Sequence, residues 1–125
     1  MTSNEYYSLV INIGFAFTLF REDDKHKMLH EAAVHRELRH ENIVTLYATV
    51  VNADTHICGI ISEFMENGSM KDFLKWYDIP CLLKIKMIHD IAKGMHHLHT
   101  RQKPIIHGDV KSSNILINGA YTAKV

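Results

Sequence analysis

The chain has 125 residues, 46% of them hydrophobic, and 14 Lys plus Arg balance 14 Asp plus Glu. That length suits one ordinary domain with a sizeable core, and the hydrophobic share is that of a globular protein, not a disordered tail. The balanced charge gives no basic footprint, so neither nucleic acid nor an anionic membrane is expected as the main partner.

The longest apolar stretch, "LVINIGFAFTLF" at residues 9 to 20, is interrupted by Asn12 and Thr18. It is shorter than the roughly 20 apolar residues a membrane helix needs, so no membrane span is expected. No Lys or Arg precedes it, which removes the positive region of a signal peptide. It reads as a strand or strand pair with Gly14 as a bend. Residues 1–22 otherwise form an unassigned N-terminal segment.

"REDDKHKMLHEAAVHREL" (21 to 38) reads as a helix. Asp23 and Asp24 supply a cap and favourable negative charge at its start. Met28, Leu29, Ala32, Ala33 and Arg36 follow helical spacing. "RHEN" breaks the helix, and "IVTLYATVV" (43 to 51) is β-branched and strand-like. "NADTH" is a turn, and "ICGIISEF" (57 to 64) pairs with the preceding strand as a hairpin.

A short helix is expected around Met70 to Trp76, and Pro80 opens the next one. That helix, about Leu82 to Thr100, has the clearest pattern in the chain, with Ile88, Ile91, Ala92, Met95 and Leu98 as one apolar stripe. Strand-like Ile105-Ile106 and Ile115-Leu116-Ile117 then flank "HGDVKSSN", and a turn at "NGA" leads to a last strand-like "YTAKV". The fold class is α+β.

His107, Asp109, Lys111 and Asn114 therefore sit on a loop held at both ends, where chemistry is commonly placed. Taken alone, Asp109 and Asn114 also suit plain turn positions. Ten histidines raise a metal question, but "HEAAVH" has one residue too many for the HExxH zinc helix. Neither His26 with His30 nor "HHLH" at 96 to 99 is expected to hold a metal. The two cysteines, Cys58 and Cys81, are read as reduced, in an intracellular protein.

"HGDVKSSN" resembles the catalytic loop of protein kinases, His-Arg-Asp followed by four residues and Asn. Three further segments resemble the same family in its own order. "HEAAVHRELRHENIVTLYATVV" is similar to the family's αC helix and fourth strand. "GIISEFMENGSMKDFL" is similar to its fifth strand, hinge and αD helix. "IHDIAKGMHHLHTRQKPIIHGDVKSSNILI" is similar to αE running into the loop. The flavour is the tyrosine-kinase-like group of serine/threonine kinases, most like receptor-interacting protein kinases and second Pelle-like kinases.

The resemblance implies an incomplete protein kinase domain over residues 23–125, carrying αC, the fourth and fifth strands and the hinge. It adds αD, αE, the catalytic loop and the seventh and eighth strands. It implies ATP-dependent phosphoryl transfer to Ser/Thr of proteins, with Mg²⁺ as cofactor, in a cytoplasmic signalling protein. Asp109 then accepts the hydroxyl proton, Lys111 steadies the transferred group, and Asn114 holds one Mg²⁺. Ser62 is the gatekeeper, Glu63 and Met65 offer backbone groups to adenine, and Leu116 packs on the adenine face. Glu31 is the glutamate that pairs a strand-borne lysine, and His107 has a packing role under the loop.

Departures from the pattern are equally specific. No Gly-x-Gly-x-x-Gly occurs, and "INIGFAF", where the paired lysine belongs, contains none. Gly108 replaces the arginine of His-Arg-Asp, and His35 takes a place that is usually apolar. The sequence ends at "AKV", where Asp-Phe-Gly is expected to follow. The segment alone is therefore expected to be inactive, with an exposed apolar αE face that favours self-association. The alternative reading is a non-catalytic, pseudokinase-like binding or decoy module.

Overall fold

The computed structural model describes residues 7–11 and 15–125, and the chain divides into two units. The first comprises residues up to 38 together with 45–64, and the second comprises 39–44 and 65–125.

In the first unit, β1 (Tyr7–Ile11), β2 (Phe15–Phe20), β3 (Leu46–Asn52) and β4 (Ile57–Glu63) form an antiparallel sheet of order β1-β2-β4-β3. The expected strand pair before residue 21 is therefore present, while the bend at Gly14 lies outside the described residues. The β3–β4 hairpin turns where Asn52 Oδ1 accepts the N–H groups of Asp54 and Thr55, both at 3.0 Å. An asparagine side chain here replaces backbone partners that the turn cannot supply.

Helix α1 (Lys25–His35) follows a 3₁₀ turn, Glu22–Asp24, and packs on β3 and β4. Met28 and Ala32 are buried, as spaced, whereas Ala33 and Arg36 are exposed. Asp24 occupies the N-cap position without a side-chain cap bond, so its contribution at the helix start is charge.

The second unit contains α2 (Met70–Trp76), α3 (Cys81–His99) and the hairpin β5 (Leu116–Ile117) with β6 (Ala123–Lys124). Ser69 caps α2, its Oγ accepting the Asp72 N–H at 3.2 Å. Phe73, Ile79, Met87, Ile115, Ile117 and Ala123 form the core, with Met70, Leu83 and Ile91 against it.

Two expectations are corrected here. The buried line of α3 is Met87, Asp90, Gly94 and Leu98, while Ile88 and Ala92 face solvent. The spacing was helical, but the stripe is turned because the small Gly94 and hydrogen-bonded Asp90 occupy the packed side. Ile105-Ile106 form no strand: Ile106 is 84% exposed, and among the described residues no strand pairs with it.

Smaller shifts occur at the strand ends. Ile43 and Val44 are buried but precede β3, because Val44 N–H donates to Val125 O in the second unit. Tyr121 belongs to the β5–β6 turn rather than to a strand. Among the described residues no helix is long and apolar enough to cross a membrane.

Candidate active site

The loop between α3 and β5 is fixed at both ends by backbone bonds. Ile105 N–H donates to Leu98 O at the end of α3 at 2.9 Å. At the other end, Lys71 N–H reaches Ser112 O at 3.0 Å and Met70 N–H reaches Ile115 O at 2.7 Å, so the first turn of α2 holds the exit. These bonds satisfy amides at the N-terminus of α2 that have no intrahelical acceptor.

Between the anchors, Asn114 Nδ2 donates to both the backbone O and the Oδ2 of Asp109, each at 2.9 Å. Lys111 Nζ lies 3.5 Å from the same Oδ2. Asp109 N–H in turn donates to His107 Nδ1 at 3.2 Å, so the half-buried His107 ring holds the backbone at Asp109. Gly108 sits at φ +78°, a left-handed backbone that an arginine side chain would strain. The loop thus gathers an exposed carboxylate, an ammonium and an amide within hydrogen-bond reach of one another. Because Asn114 uses Nδ2 for both bonds, its amide oxygen is the atom left to meet a hard cation.

The remaining candidates are placed by their elements. In the second unit, Met65 is buried and its carbonyl accepts the Gly68 N–H at 3.0 Å, while half-buried Leu116 stands in β5. Glu31, Ser62 and Glu63 belong to the first unit. Ser62 and Glu63 close β4, and Glu63 Oε2 accepts the Thr45 N–H at 3.1 Å. Glu31 is exposed on α1 and forms no ion pair among the described residues. The strand before α1, "FAFTLF", carries no lysine.

Two supporting residues escaped the sequence reading. Asp90 is 3% exposed, and its Oδ2 takes both Lys86 Nζ at 2.7 Å and the Ala123 N–H at 3.1 Å. It ties α3 to β6, the strand that closes the hairpin. The available signal was an acid in the middle of the most apolar helix, since a buried carboxylate requires partners. Asn42, fully buried, donates Nδ2 to Ala123 O at 3.1 Å and accepts the Val125 N–H at 2.9 Å through its carbonyl.

The same segment carries a pH dependence. His40 Nδ1 accepts the Asn42 N–H at 3.0 Å, and its ring stacks on His97 with centroids 4.7 Å apart. Burial, then His97, hold the His40 imidazole below its ordinary 6.5, with Glu41 opposing and Lys93 adding. Its lowered pKa means that the unfolded chain takes up the proton first. Stability contributed by neutral His40 is thus complete above 6.5 and declines as pH falls from there toward the folded value. The neighbouring Glu41–Lys93 pair, 2.7 Å apart, lies outside this window, since Glu41 is held below 4.5 and Lys93 above 10.5. Urea midpoints are expected to fall between pH 7.5 and pH 5.5, and to fall less in His40→Gln. Equal pH slopes for the two proteins would remove His40 as the cause.

Residues 16–125 match the family described as protein tyrosine and serine/threonine kinase. A probable serine/threonine-protein kinase of Dictyostelium discoideum is 36% identical over 86% of the chain, which corresponds to 11% of that protein. The serine/threonine-protein kinase CTR1 of Arabidopsis thaliana is 34% identical over 85% of the chain and 13% of its own length. Receptor-interacting serine/threonine-protein kinase 2 of Bos taurus is 28% identical over 83% of the chain and 20% of its own length. The chain thus spans between about a tenth and a fifth of these curated relatives.

Proposed function

Since the chain belongs to the protein tyrosine and serine/threonine kinase family, we propose that it supplies the catalytic loop of a serine/threonine protein kinase acting in cytoplasmic signalling. Residues 23–125 are the kinase-domain portion in this reading, and the substrates are hydroxyl-bearing side chains of other proteins. The observation that carries it is the convergence of Asn114 and Lys111 on the Asp109 carboxylate.

Phosphoryl transfer needs positioning and charge neutralisation more than covalent chemistry. Asp109 accepts the proton of the substrate hydroxyl as its oxygen bonds to the γ-phosphorus of ATP and the bond to ADP breaks. Lys111 steadies the transferred group, and His107 fixes the aspartate. Asn114 is the residue that would hold Mg²⁺, which when bound neutralises phosphate charge. Ser62, Glu63, Met65 and Leu116 are assigned to the adenine end, and Glu31 to the place of the glutamate that pairs a strand-borne lysine, a partner that the strand before α1 does not supply. The solvent-facing Leu82, Ile85 and Ile88 side of α3 is available for association with further protein, including a second copy.

A second reading has its own observation. The strand before α1 lacks a lysine and Glu31 is exposed, which favours a non-catalytic module that presents a kinase-like surface. Calorimetry with ATP–Mg²⁺, together with transfer to a serine-containing substrate, separates the two on the 125-residue chain. Weak or no nucleotide binding and no useful turnover are expected of the chain by itself, because the paired lysine and the glycine-rich cradle are missing. Micromolar binding with Asp109-dependent turnover would show that neither group is needed.

A further inference from the structure

The turn between β5 and β6 contains a glycine, yet its left-handed position is filled by Tyr121, at φ +60°. A bulky side chain is strained there, and strain of this kind persists only where the surroundings enforce it. They do so here. Tyr121 N–H donates to Asn118 O at 3.1 Å, and Lys86 Nζ holds Tyr121 O at 3.0 Å. Asn118 Oδ1 also takes the N–H groups of Ala120 and Thr122 at 3.0 and 2.9 Å.

The result is a ring placed 6.0 Å from Phe73, whose other neighbour, Tyr77, is 5.1 Å away. These three rings line a cavity of about 360 Å³. Its inner wall includes the buried Phe73 and Ile79 together with Leu83, and Tyr77 and Tyr121 remain 59% and 47% exposed. Among the described residues, Asp78 is the one charged residue lining it. Lys86, nearby, is already held by Asp90 and by Tyr121 O.

An apolar floor, two tyrosine rings and a single carboxylate complement a long cationic side chain. Its methylenes cover the floor, its charge meets the negative ring faces, and Asp78 neutralises it. A planar guanidinium suits this better than an ammonium, because it stacks on rings and pairs with a carboxylate along one edge. We infer that this cavity is a docking pocket for an arginine side chain of a partner protein. The inference does not depend on whether the Asp109 loop is catalytic.

The test is a titration of the ¹⁵N-labelled chain with acetyl-Gly-Arg-Leu-Gly-amide, and with the same peptide carrying uncharged citrulline for arginine. Saturable shifts are expected at Asn67, Tyr77, Asp78 and Tyr121, with the citrulline peptide roughly tenfold weaker. Asp78→Asn is expected to weaken the arginine peptide about threefold. Tyr121→Gly removes ring and strain together, so the melting temperature should hold while the shifts disappear. Equal binding of both peptides, shifts elsewhere, or unchanged binding by Tyr121→Gly would overturn the assignment. So would no shift at millimolar peptide, or shifts that follow protein concentration alone and so assign the cavity to a second copy.

Discussion

Asp109→Asn is expected to lower phosphate transfer by about 10²–10⁴-fold in whatever length of protein carries this segment and transfers phosphate. That is the usual contribution of a positioned general base. The substitution keeps the shape of the side chain and removes the charge on which the proposed proton transfer depends. Asn114 Nδ2 retains its second acceptor, the backbone O of residue 109, so the loop keeps one of its two cross-links. The site is exposed, and stability should change by no more than about 0.5 kcal/mol.

Asn114→Ala should act differently. It removes both cross-links and the oxygen proposed to meet Mg²⁺, so more Mg²⁺ is expected to be needed to reach half of the maximal rate. Steady-state assays across a Mg²⁺ series, with thermal melts alongside, separate the two variants. Wild-type turnover by Asp109→Asn would remove the catalytic assignment.

Gly94→Ala should lower stability by about 2 kcal/mol although alanine is the better helix former. A Cβ at this position lies 2.6 Å from Asn42 O and 2.9 Å from Val125 Cγ2. The first atom is backbone and already accepts the Val125 N–H at 2.9 Å, so it cannot withdraw without loosening the bond that fixes the end of β6. Overpacking typically costs on the order of 1–3 kcal/mol, and the helix-propensity gain of alanine over glycine returns about 1 kcal/mol. Given how close the contact is, the upper end of that cost applies. For a chain of this size the melting temperature is expected to fall by about 8 °C. An unchanged or higher melting temperature would show that α3 and the 39–44 segment do not meet as closely as described.

The elements were legible where one period dominated. Helix α2 falls at Met70–Trp76 as expected, and the β3–β4 hairpin turns at "NADTH" because Asn52 supplies the acceptor that such a turn requires. That Asp109, Lys111 and Asn114 lie together was legible, since they are near neighbours in the chain and need only a short bend to meet. Asp90 and Asn42 were not legible in this way. Their partners, Ala123 and Val125, lie far along the chain, and nothing local in either sequence neighbourhood names them.

By itself the sequence determined the order of elements, the resemblance of "HGDVKSSN" to a kinase loop and the absence of a lysine from "INIGFAF". Only the tertiary structure decided which side of α3 is buried. Leu82, Ile85 and Ile88 make a second apolar side on the same helix, so spacing alone sets the period and leaves the phase open. The phase follows from contacts no pattern contains. Gly94 lets the Asn42 carbonyl approach, and the Asp90 carboxylate gains the Ala123 N–H only when Met87 and Leu98 are turned inward.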